Sequence, residues 1–313
     1  MTLAVQLVLY RGSSYLPSLL DSLQSQSDCN WTLFVRDQSE DIAERAHTHQ
    51  YLEMSGLPYV WDETFDNRGF SGGHQRLFTR HDADLVLLLN QDAILGVEYI
   101  HALREAFVDQ SVGAAAGVIF KAQYKDGRFH ALDEIDSQGL VCRRTHKVED
   151  LKNVEHKFDS TPLEVFGVSG CLPMYRRQAV EATSVDGTLF DARYFMYKED
   201  VDLAYRLKGG GWRALTVPRA IAWHQRTFSM RQRFAQTDRA RFESYRNHLW
   251  NLVSHGASRS VRGDLWVVIP YEMIKALFVM LTAPRLWWRA IKETHDMLPE
   301  LKKKRIFYER THA

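Results

Sequence analysis

The sequence predicts an α/β protein with a mostly parallel central sheet flanked by helices. The central strand is the clearest element, because Leu85–Leu89 is an unbroken run of five branched aliphatic residues. This run is too short for a helix and shows no polar alternation, as expected of a parallel strand that helices cover on both sides. Strand and helix patterns also alternate ahead of it, which indicates βαβ units.

The other elements follow in chain order and divide the chain into two parts. Further strands are predicted at residues 4–10, 31–35, 59–61, 112–120, 165–175, 212–217 and 220–224. Helices are predicted at residues 16–23, 42–54, 97–107 and, after a change in composition, 229–255. We therefore expect an α/β domain over residues 1–228 and a C-terminal helical region over residues 229–313.

Composition excludes several classes of protein. Hydrophobic residues make up 45% and charged residues 25% of the chain, as in ordinary globular proteins. The net charge of +1 provides no overall attraction to nucleic acid, which we do not expect as a partner. Three widely spaced cysteines without a CxxC or HExxH pattern argue against a zinc site or a disulfide framework and favour the cytoplasm. No basic segment precedes the first strand, so we do not expect a signal peptide.

Carboxylates follow two of the predicted strands. Asp92 closes the segment Asn90-Gln91-Asp92 directly after the central strand, and Asp37 follows the second strand. Open α/β sheets bind ligands at this edge, and an isolated carboxylate there is costly without a cation or a donor beside it. The alternative is that both aspartates only begin turns or cap helices.

A glycine-rich segment and an acidic segment are the other candidates for chemistry. Asn67-Arg68-Gly69-Phe70-Ser71-Gly72-Gly73-His74 precedes a helix and could aim backbone N–H groups at an anion, although it is not a GxGxxG pattern. Glu199, Asp200 and Asp202 follow the aromatic residues of 195–197 at a helix start. Such surroundings can raise a carboxyl pKa towards that of a general base, whereas favourable charge at a helix N-terminus is the alternative, especially for Asp202.

Together these segments resemble the family 2 inverting glycosyltransferases of the GT-A fold, and especially their bacterial rhamnosyltransferase-like branch. The resemblance covers residues 3–228 and rests on Tyr10, Asp37, Asn67-x-Gly69-Phe70-x-x-Gly73, Leu88-Leu89-Asn90-Gln91-Asp92, Phe190-Asp191, Phe195-x-x-x-Glu199-Asp200-x-Asp202-Leu203-x-x-Arg206, Gly211-Trp212 and Trp223-His224.

The resemblance implies a role for each candidate residue. Asp200 would be the catalytic base, and Asp92 with His224 would bind Mg²⁺ or Mn²⁺ at the diphosphate of the donor. The nucleotide would be held by Tyr10, Asp37, Asn67, Gly69, Asn90 and Gln91, with Asp37 at the base and Asn90 at the ribose. Glu199, Gly170 and Trp223 would contact the substrate.

The resemblance also implies the substrates. Asn90 stands where the family's Asp-x-Asp motif begins, and asparagine there favours L-rhamnose from dTDP-rhamnose as the donor. The acceptor would be a glycan or a polyprenyl-linked sugar in cell-surface polysaccharide synthesis. The alternatives are a UDP- or GDP-hexose or galactofuranose donor, an inactive sugar-nucleotide-binding protein, or a nucleotidyltransferase. The last would need a glycine-rich basic loop near strand one, which Arg11-Gly12-Ser13-Ser14 matches poorly.

The C-terminal region carries an amphipathic helical pattern and a basic excess. Residues 259–313 contain eleven Lys and Arg against six acids. The apolar stretch over residues 265–283 contains Pro270, Glu272 and Lys275, so we interpret it as a surface helix rather than a transmembrane span. We expect it to contact the inner membrane face, with packing on the catalytic domain or a homodimer interface as the alternatives.

Overall fold

A computed structural model of the chain describes residues 1–64, 66–125, 128–152, 154, 161–225, 238–256 and 259–311. Of residues 128, 259–262 and 311 only the backbone is described. The predicted domain boundary at residue 228 lies outside the described residues.

One twisted sheet forms the centre of the molecule. Its strands and those of one small hairpin are β1 (Leu3–Leu9), β2 (Thr32–Asp37), β3 (Tyr59–Trp61), β4 (Leu85–Leu89), β5 (Ala93–Leu95), β6 (Val112–Lys125), β7 (Arg128–Ser137), β8 (Leu140–Cys142), β9 (Val148–Asp150), β10 (Leu163–Val165), β11 (Met174–Arg176) and β12 (Arg213–His224). The strand order is β10-β12-β6-β11-β4-β1-β2-β3, with β5 paired to β12 and β7 to β6, while β8 and β9 form the hairpin.

The half of the sheet that ends in the predicted nucleotide residues is parallel throughout. β3, β2, β1 and β4 pair in parallel, and β6 pairs in parallel with β12. β11 lies antiparallel between β4 and β6 and joins the two halves. The predicted α/β architecture is therefore confirmed.

The central strand is buried on both faces, as its sequence predicts. Leu85, Leu87 and Leu89 belong to the hydrophobic cluster on one face of the sheet. Val86 and Leu88 belong to the cluster on the other face. Helices cover both clusters, so the carboxyl end of β4 is the point at which this buried strand reaches the surface.

Ten α-helices lie within the described residues, and local sequence explains several of their ends. They are α1 (Leu16–Gln24), α2 (Ile42–Ser55), α3 (Gly69–Phe78), α4 (Tyr99–Ala106), α5 (Arg177–Ala182), α6 (Glu199–Gly209), α7 (Asp238–His255), α8 (Arg259–Thr282), α9 (Pro284–Asp296) and α10 (Leu298–Thr311). The carboxylate of Asp41 caps α2 by accepting a hydrogen bond from the Ala43 N–H at 2.8 Å. Gly56 ends the same helix with a φ of 65°, a conformation that glycine adopts without strain.

Two strand predictions were wrong. The strands predicted at 212–217 and 220–224 are one strand, β12, with a register shift between Val217 and Ile221. The strand region predicted at 165–175 is two short strands, β10 and β11, separated by the segment that contains Gly170. Both errors arise because strand pairing, which fixes the limits of strands, involves residues distant in sequence.

The apolar helix α8 shows its polar side to the protein. Glu272 and Lys275 face α7, where His248 Nε2 lies 2.8 Å from Glu272 Oε1. Met273 and Ile274 are 68% and 70% exposed, so the alternative in which the apolar face packs on the catalytic domain is wrong. The helix also continues through Pro270, and by length and composition alone Gly263–Thr282 could cross a membrane. The sequence interpretation that this stretch is not a transmembrane span therefore does not follow from its length and composition.

Candidate active site

Strand pairing brings Asp92 to His224. β5 pairs antiparallel with the end of β12, and Ala93 lies opposite His224. Asp92 Oδ1 is consequently 3.4 Å from His224 Nε2. Asn90, at the end of β4, places Nδ2 3.2 Å from the same ring nitrogen. The structure thus brings together three residues that the sequence assigned to one site.

Asp136 lies behind His224 and was not identified from the sequence. Its Oδ2 is 3.3 Å from His224 Nδ1, on the opposite side of the ring from Asp92. Burial opposes a charged imidazole, but Cys171 and the two carboxylates outweigh it and raise the pKa of His224 well above its usual value. A carboxylate on the far nitrogen is the common way of orienting a metal-binding histidine. No sequence pattern pointed to Asp136, because it comes from β7 in a segment without a recognisable motif.

The donor atoms around His224 fit a divalent cation. Asp92 offers a carboxylate and His224 an oriented imidazole, and the buried Asn90 Oδ1 accepts no hydrogen bond from the described residues. Two protein ligands leave room for oxygen atoms of a phosphate ligand, as Mg²⁺ sites usually do. Within the described ranges, no three His, Cys, Asp or Glu residues are grouped as a complete metal site. Asp92 and His224 would therefore share an ion with oxygen ligands of another kind, such as those of a phosphate.

The acidic segment at the start of α6 supplies a carboxylate whose orientation is fixed by backbone N–H groups. Asp200 Oδ2 accepts from the Gly170 N–H at 3.1 Å, and its Oδ1 accepts from the Val201 N–H at 2.8 Å. Burial raises the pKa of Asp200 above its usual value. Burial and the neighbouring Asp200 raise the pKa of Glu199 to about 8. The two acids at the start of α6 are thus held in surroundings that favour binding a proton.

A short segment connects this acid pair to the end of β4. The Gly170 N–H bonds Asp200, and three residues later the Pro173 carbonyl oxygen accepts from the Leu88 N–H at 2.9 Å. A Cβ at position 170 would lie 3.6 Å from Asp200 Oδ2, in ordinary van der Waals contact, so the backbone of Gly170 lies directly beside the carboxylate. Asp92, His224 and Asp200 therefore lie at the same, carboxyl-terminal edge of the sheet.

Comparison with known proteins identifies the family. Residues 56–246, more than half of the chain, match the family model described as "Glycosyltransferase like family 2". The chain belongs to this family.

Sequence relatives and solved structures agree with this assignment. The glycosyltransferase is 39% identical over 75 residues to the N-acetylglucosaminyl-diphospho-decaprenol L-rhamnosyltransferase of Mycobacterium tuberculosis, an alignment that covers 24% of this chain and 23% of that enzyme. Its fold is similar to that of GalNAc-T7 with UDP, GalNAc and Mn²⁺, with a TM-score of 0.62 at 13% identity over 82% of this chain and 51% of that one.

A second solved structure covers nearly the whole chain. The mannosyltransferase PcManGT from Pyrobaculum calidifontis in complex with GDP-Man and Mn²⁺ has a TM-score of 0.53 at 13% identity, over 99% of this chain and 84% of that one. These likenesses confirm the GT-A fold that the sequence predicts.

The predicted nucleotide residues of this glycosyltransferase lie at the same edge but already have protein partners. Asp37 is 1% exposed, and its two oxygens accept from the Ser39 N–H at 2.9 Å and the Thr48 hydroxyl at 2.7 Å. Gln91 Oε1 accepts from the N–H of the exposed Tyr10 at 2.9 Å. Roles for these residues in nucleotide binding stay predictions.

The glycine-rich segment of the glycosyltransferase serves close packing. The Gly69 N–H donates to Asn67 Oδ1 at 2.9 Å, and a side chain on Gly69, whose φ is 68°, would put its Cβ 2.3 Å from the Phe195 carbonyl oxygen. The Ser71 N–H donates to the same carbonyl at 3.1 Å. The N–H groups of Gly69 and Ser71 are therefore engaged within the protein and not free for an anion. The predicted contacts of Asn67 and Gly69 with the donor stay predictions.

Asp202 and Trp223 complete the set of predicted residues. Asp202 is buried between Arg206 Nε, at 3.0 Å, and His255 Nε2, at 2.9 Å. It thereby joins α6 to α7, which agrees with a structural role. Trp223 is half-buried beside Phe120, one residue before His224.

Proposed function

We propose that this glycosyltransferase moves a sugar from a nucleoside diphosphate to an acceptor hydroxyl in a single, inverting displacement. The observation that carries the proposal is that Asp92, His224 and Asp200 lie at one edge of the sheet, with His224 held between Asp92 and Asp136 and Asp200 bonded to the Gly170 N–H. A carboxylate with a raised pKa is a stronger base than an ordinary carboxylate.

Each residue has a separate part in the reaction. Asp92 and His224 would hold Mg²⁺ or Mn²⁺, and Asp136 orients His224. The bound ion would stabilise negative charge on the leaving diphosphate, as metal ions do in phosphate chemistry. Asp200 accepts the proton of the acceptor hydroxyl. At the same time the hydroxyl oxygen forms a bond to the anomeric carbon of the sugar, and the bond between that carbon and the diphosphate breaks. Attack from the side opposite the leaving group inverts the anomeric configuration.

The proposed donor is dTDP-rhamnose and the proposed acceptor a polyprenyl-diphosphate-linked sugar. The short similarity to a decaprenol-linked L-rhamnosyltransferase supports both. Asn90 supports the donor, because an amide adds no charge beside Asp92 and can still bond a ribose hydroxyl. A panel of dTDP-, UDP- and GDP-sugars, with released nucleoside diphosphate as the readout, tests the donor. Transfer from only UDP- or GDP-sugars would exclude dTDP-rhamnose, and binding without any turnover would favour an inactive sugar-nucleotide-binding protein.

Asp200→Asn tests the proposed base. The substitution keeps the size of the side chain but removes its basicity, so transfer should fall by about 10²–10⁴-fold. Nucleoside diphosphate affinity should stay within about twofold, because the proposed base acts on the acceptor hydroxyl and not on the diphosphate. The matched control is Asp133→Asn, at an exposed position on β7. Transfer at the parent rate by Asp200→Asn would exclude Asp200 as the base.

We also propose that α8 lies on the inner membrane surface, where a polyprenyl-linked acceptor is found. Its exposed apolar residues form one face: Trp266, Ile269, Met273, Ile274, Leu277, Phe278 and Leu281. Glu272 and Lys275, near the middle of the helix, are held against α7, so this part of α8 cannot lie at the centre of a bilayer. The basic excess of residues 259–313 adds attraction to anionic lipid, worth about 1 kcal/mol for each residue near the surface.

Flotation with anionic liposomes tests the membrane contact. The full chain should float at low salt, and Ile274→Asp with Phe278→Asp should abolish flotation. Ile42 and Met54 are equally exposed apolar residues far from α8 in sequence, so Ile42→Asp with Met54→Asp is the matched control. A parent protein that never floats, and that becomes monomeric only when α8 is substituted, would indicate a homodimer interface instead.

A further inference from the structure

The segment that leads into the acid pair has an unusual backbone. Phe195, Tyr197 and Lys198 have φ values of 60°, 69° and 69°. Residues other than glycine adopt positive φ at a cost and keep it only where the surrounding structure imposes it. Because α6 begins at Glu199, directly after this segment, whatever holds residues 194–198 also sets the position of Asp200.

Asn247, on α7, contacts three carbonyl groups of this segment. Its Nδ2 lies 2.9 Å from the carbonyl oxygen of Tyr194, 3.0 Å from that of Met196 and 2.8 Å from that of Tyr197. Its Oδ1 accepts from the Arg246 guanidinium at 2.9 Å, which fixes the orientation of the amide. Asn247 is fully buried, so solvent cannot replace these bonds.

Asn251, one helical turn later, holds both ends of the segment. Its Nδ2 donates to the Lys198 carbonyl at 3.0 Å, and its Oδ1 accepts from the Tyr194 hydroxyl at 2.5 Å. The remaining carbonyl, that of Phe195, accepts from the Ser71 N–H at 3.1 Å. Every carbonyl group from residue 194 to 198 therefore has a partner. The two asparagines of α7 supply the partners of four of these five carbonyl groups.

We propose that Asn247 and Asn251 are positioning residues of sugar transfer, which hold the 194–198 segment so that Asp200 stays against Gly170 and faces the acceptor. The proposal rests on the proposed function. Through the 194–198 segment, α7 determines the position of the base although it lies outside the sheet. A simple packing role for α7 would not require its amides to bond the strained backbone immediately before the base.

Asn247→Asp is the test substitution. The carboxylate keeps the size of the side chain and an acceptor for Arg246, but it faces three carbonyl oxygens without a hydrogen to donate. Hydrogen–deuterium exchange should become at least about tenfold faster in residues 194–201 and stay unchanged in β1, β2 and β4. Asn30→Asp, the same substitution at an exposed residue, is the control and should leave exchange unchanged. Unchanged exchange at residues 194–201 in Asn247→Asp would overturn the proposal.

A double-mutant cycle with Asp200→Asn separates positioning from simple destabilisation. Activity is measured with dTDP-rhamnose, as transfer or as release of dTDP. Asn247→Asp should lower kcat at least about tenfold in the parent but less than about twofold in Asp200→Asn, because two residues that act as a unit are not additive. Binding of nucleoside diphosphate, which reports the folded fraction, should be unchanged in all four proteins.

The outcomes distinguish a failure of the positioning role from a failure of the proposed function. Equal losses in both backgrounds, or loss of nucleotide-binding sites in proportion to activity, would reduce Asn247 to a stabilising residue and leave the proposed function intact. Full activity of Asp200→Asn alone would remove the base on which the proposed function depends, and the positioning role with it.

Discussion

Replacing Glu199 by glutamine should make the protein more stable at high pH. Glu199 is 7% exposed, and no group in the described part of the chain bonds its Oε2. Burial and Asp200 raise its pKa from 4.5 to about 8, so the folded protein holds this proton at neutral pH. The unfolded chain releases it near pH 4.5. Between pH 4.5 and pH 8 the folded state therefore binds one more proton than the unfolded state. The free energy of unfolding consequently falls as the pH rises from 5 to 8.

The size of the effect follows from the two pKa values. One pKa unit corresponds to about 1.4 kcal/mol, so ionising Glu199 in the folded protein costs up to roughly 4 kcal/mol at pH 8. Glu199→Gln has the shape of the protonated acid and no charge to ionise. The variant should match the parent at pH 5 and exceed it by up to roughly 4 kcal/mol at pH 8. In an Asp200→Asn background this gain should shrink, because Asp200 is a cause of the raised pKa.

Denaturant unfolding measured from pH 5 to 8 tests this prediction. The difference in unfolding free energy between Glu199→Gln and the parent should grow steadily with pH. Glu63→Gln, at an exposed position, controls for the loss of one carboxylate and should show a flat difference. A flat difference for Glu199→Gln as well would mean that Glu199 is ionised in the folded protein, and the reasoning about the acid pair would be wrong.

The other predictions concern the residues proposed to bind the metal ion and the nucleotide. Asp136→Asn should weaken Mn²⁺-dependent binding of nucleoside diphosphate by about 10–100-fold, the usual effect of losing a residue that orients a metal ligand; calorimetry with unchanged affinity would leave Asp136 a structural residue. Excess chelator should abolish transfer and Mg²⁺ or Mn²⁺ restore it, while Asp92→Ala and His224→Ala should each remove the effect of Mn²⁺ on nucleotide affinity; full transfer in chelator would exclude the metal site. Asp37→Ala should weaken nucleotide binding, and it should also lower the unfolding free energy by about 1–3 kcal/mol because it removes the acceptor of two buried hydrogen bonds. Unchanged affinity in that variant would give Asp37 a structural role only.

The elements that sequence reasoning found correctly are those with a strong local signal. β4 has the bounds of the aliphatic run Leu85–Leu89 because burial on both faces leaves no other reading of that pattern. Asp92 was singled out because it follows a strand end, and Asp200 because it lies in an acidic segment at a helix start, while their roles came from the family resemblance and stay predictions. The fold class followed from the alternation of strand and helix patterns, which needs no knowledge of distant contacts.

The features that sequence reasoning missed depend on contacts between distant segments. Asp136 lies 88 residues from His224, and Asn247 lies 50 residues from the Tyr197 carbonyl that it bonds. Neither position has a local pattern that would single it out. For α8, periodicity identified an apolar and a polar side, but it could not determine which side faces the protein. The contact between Glu272 and His248 decides that question, and it is a tertiary contact.

The most direct test of the central claim is the anomeric configuration of the transferred sugar, measured by NMR on the product formed from dTDP-rhamnose with and without Mn²⁺. If Asp200 activates the acceptor for one displacement while Asp92 and His224 bind the ion at the leaving diphosphate, the product should have the configuration opposite to that of the donor and should form only with the ion present. A product that retains the donor's configuration, or one that forms equally well in excess chelator, would contradict this account of the site.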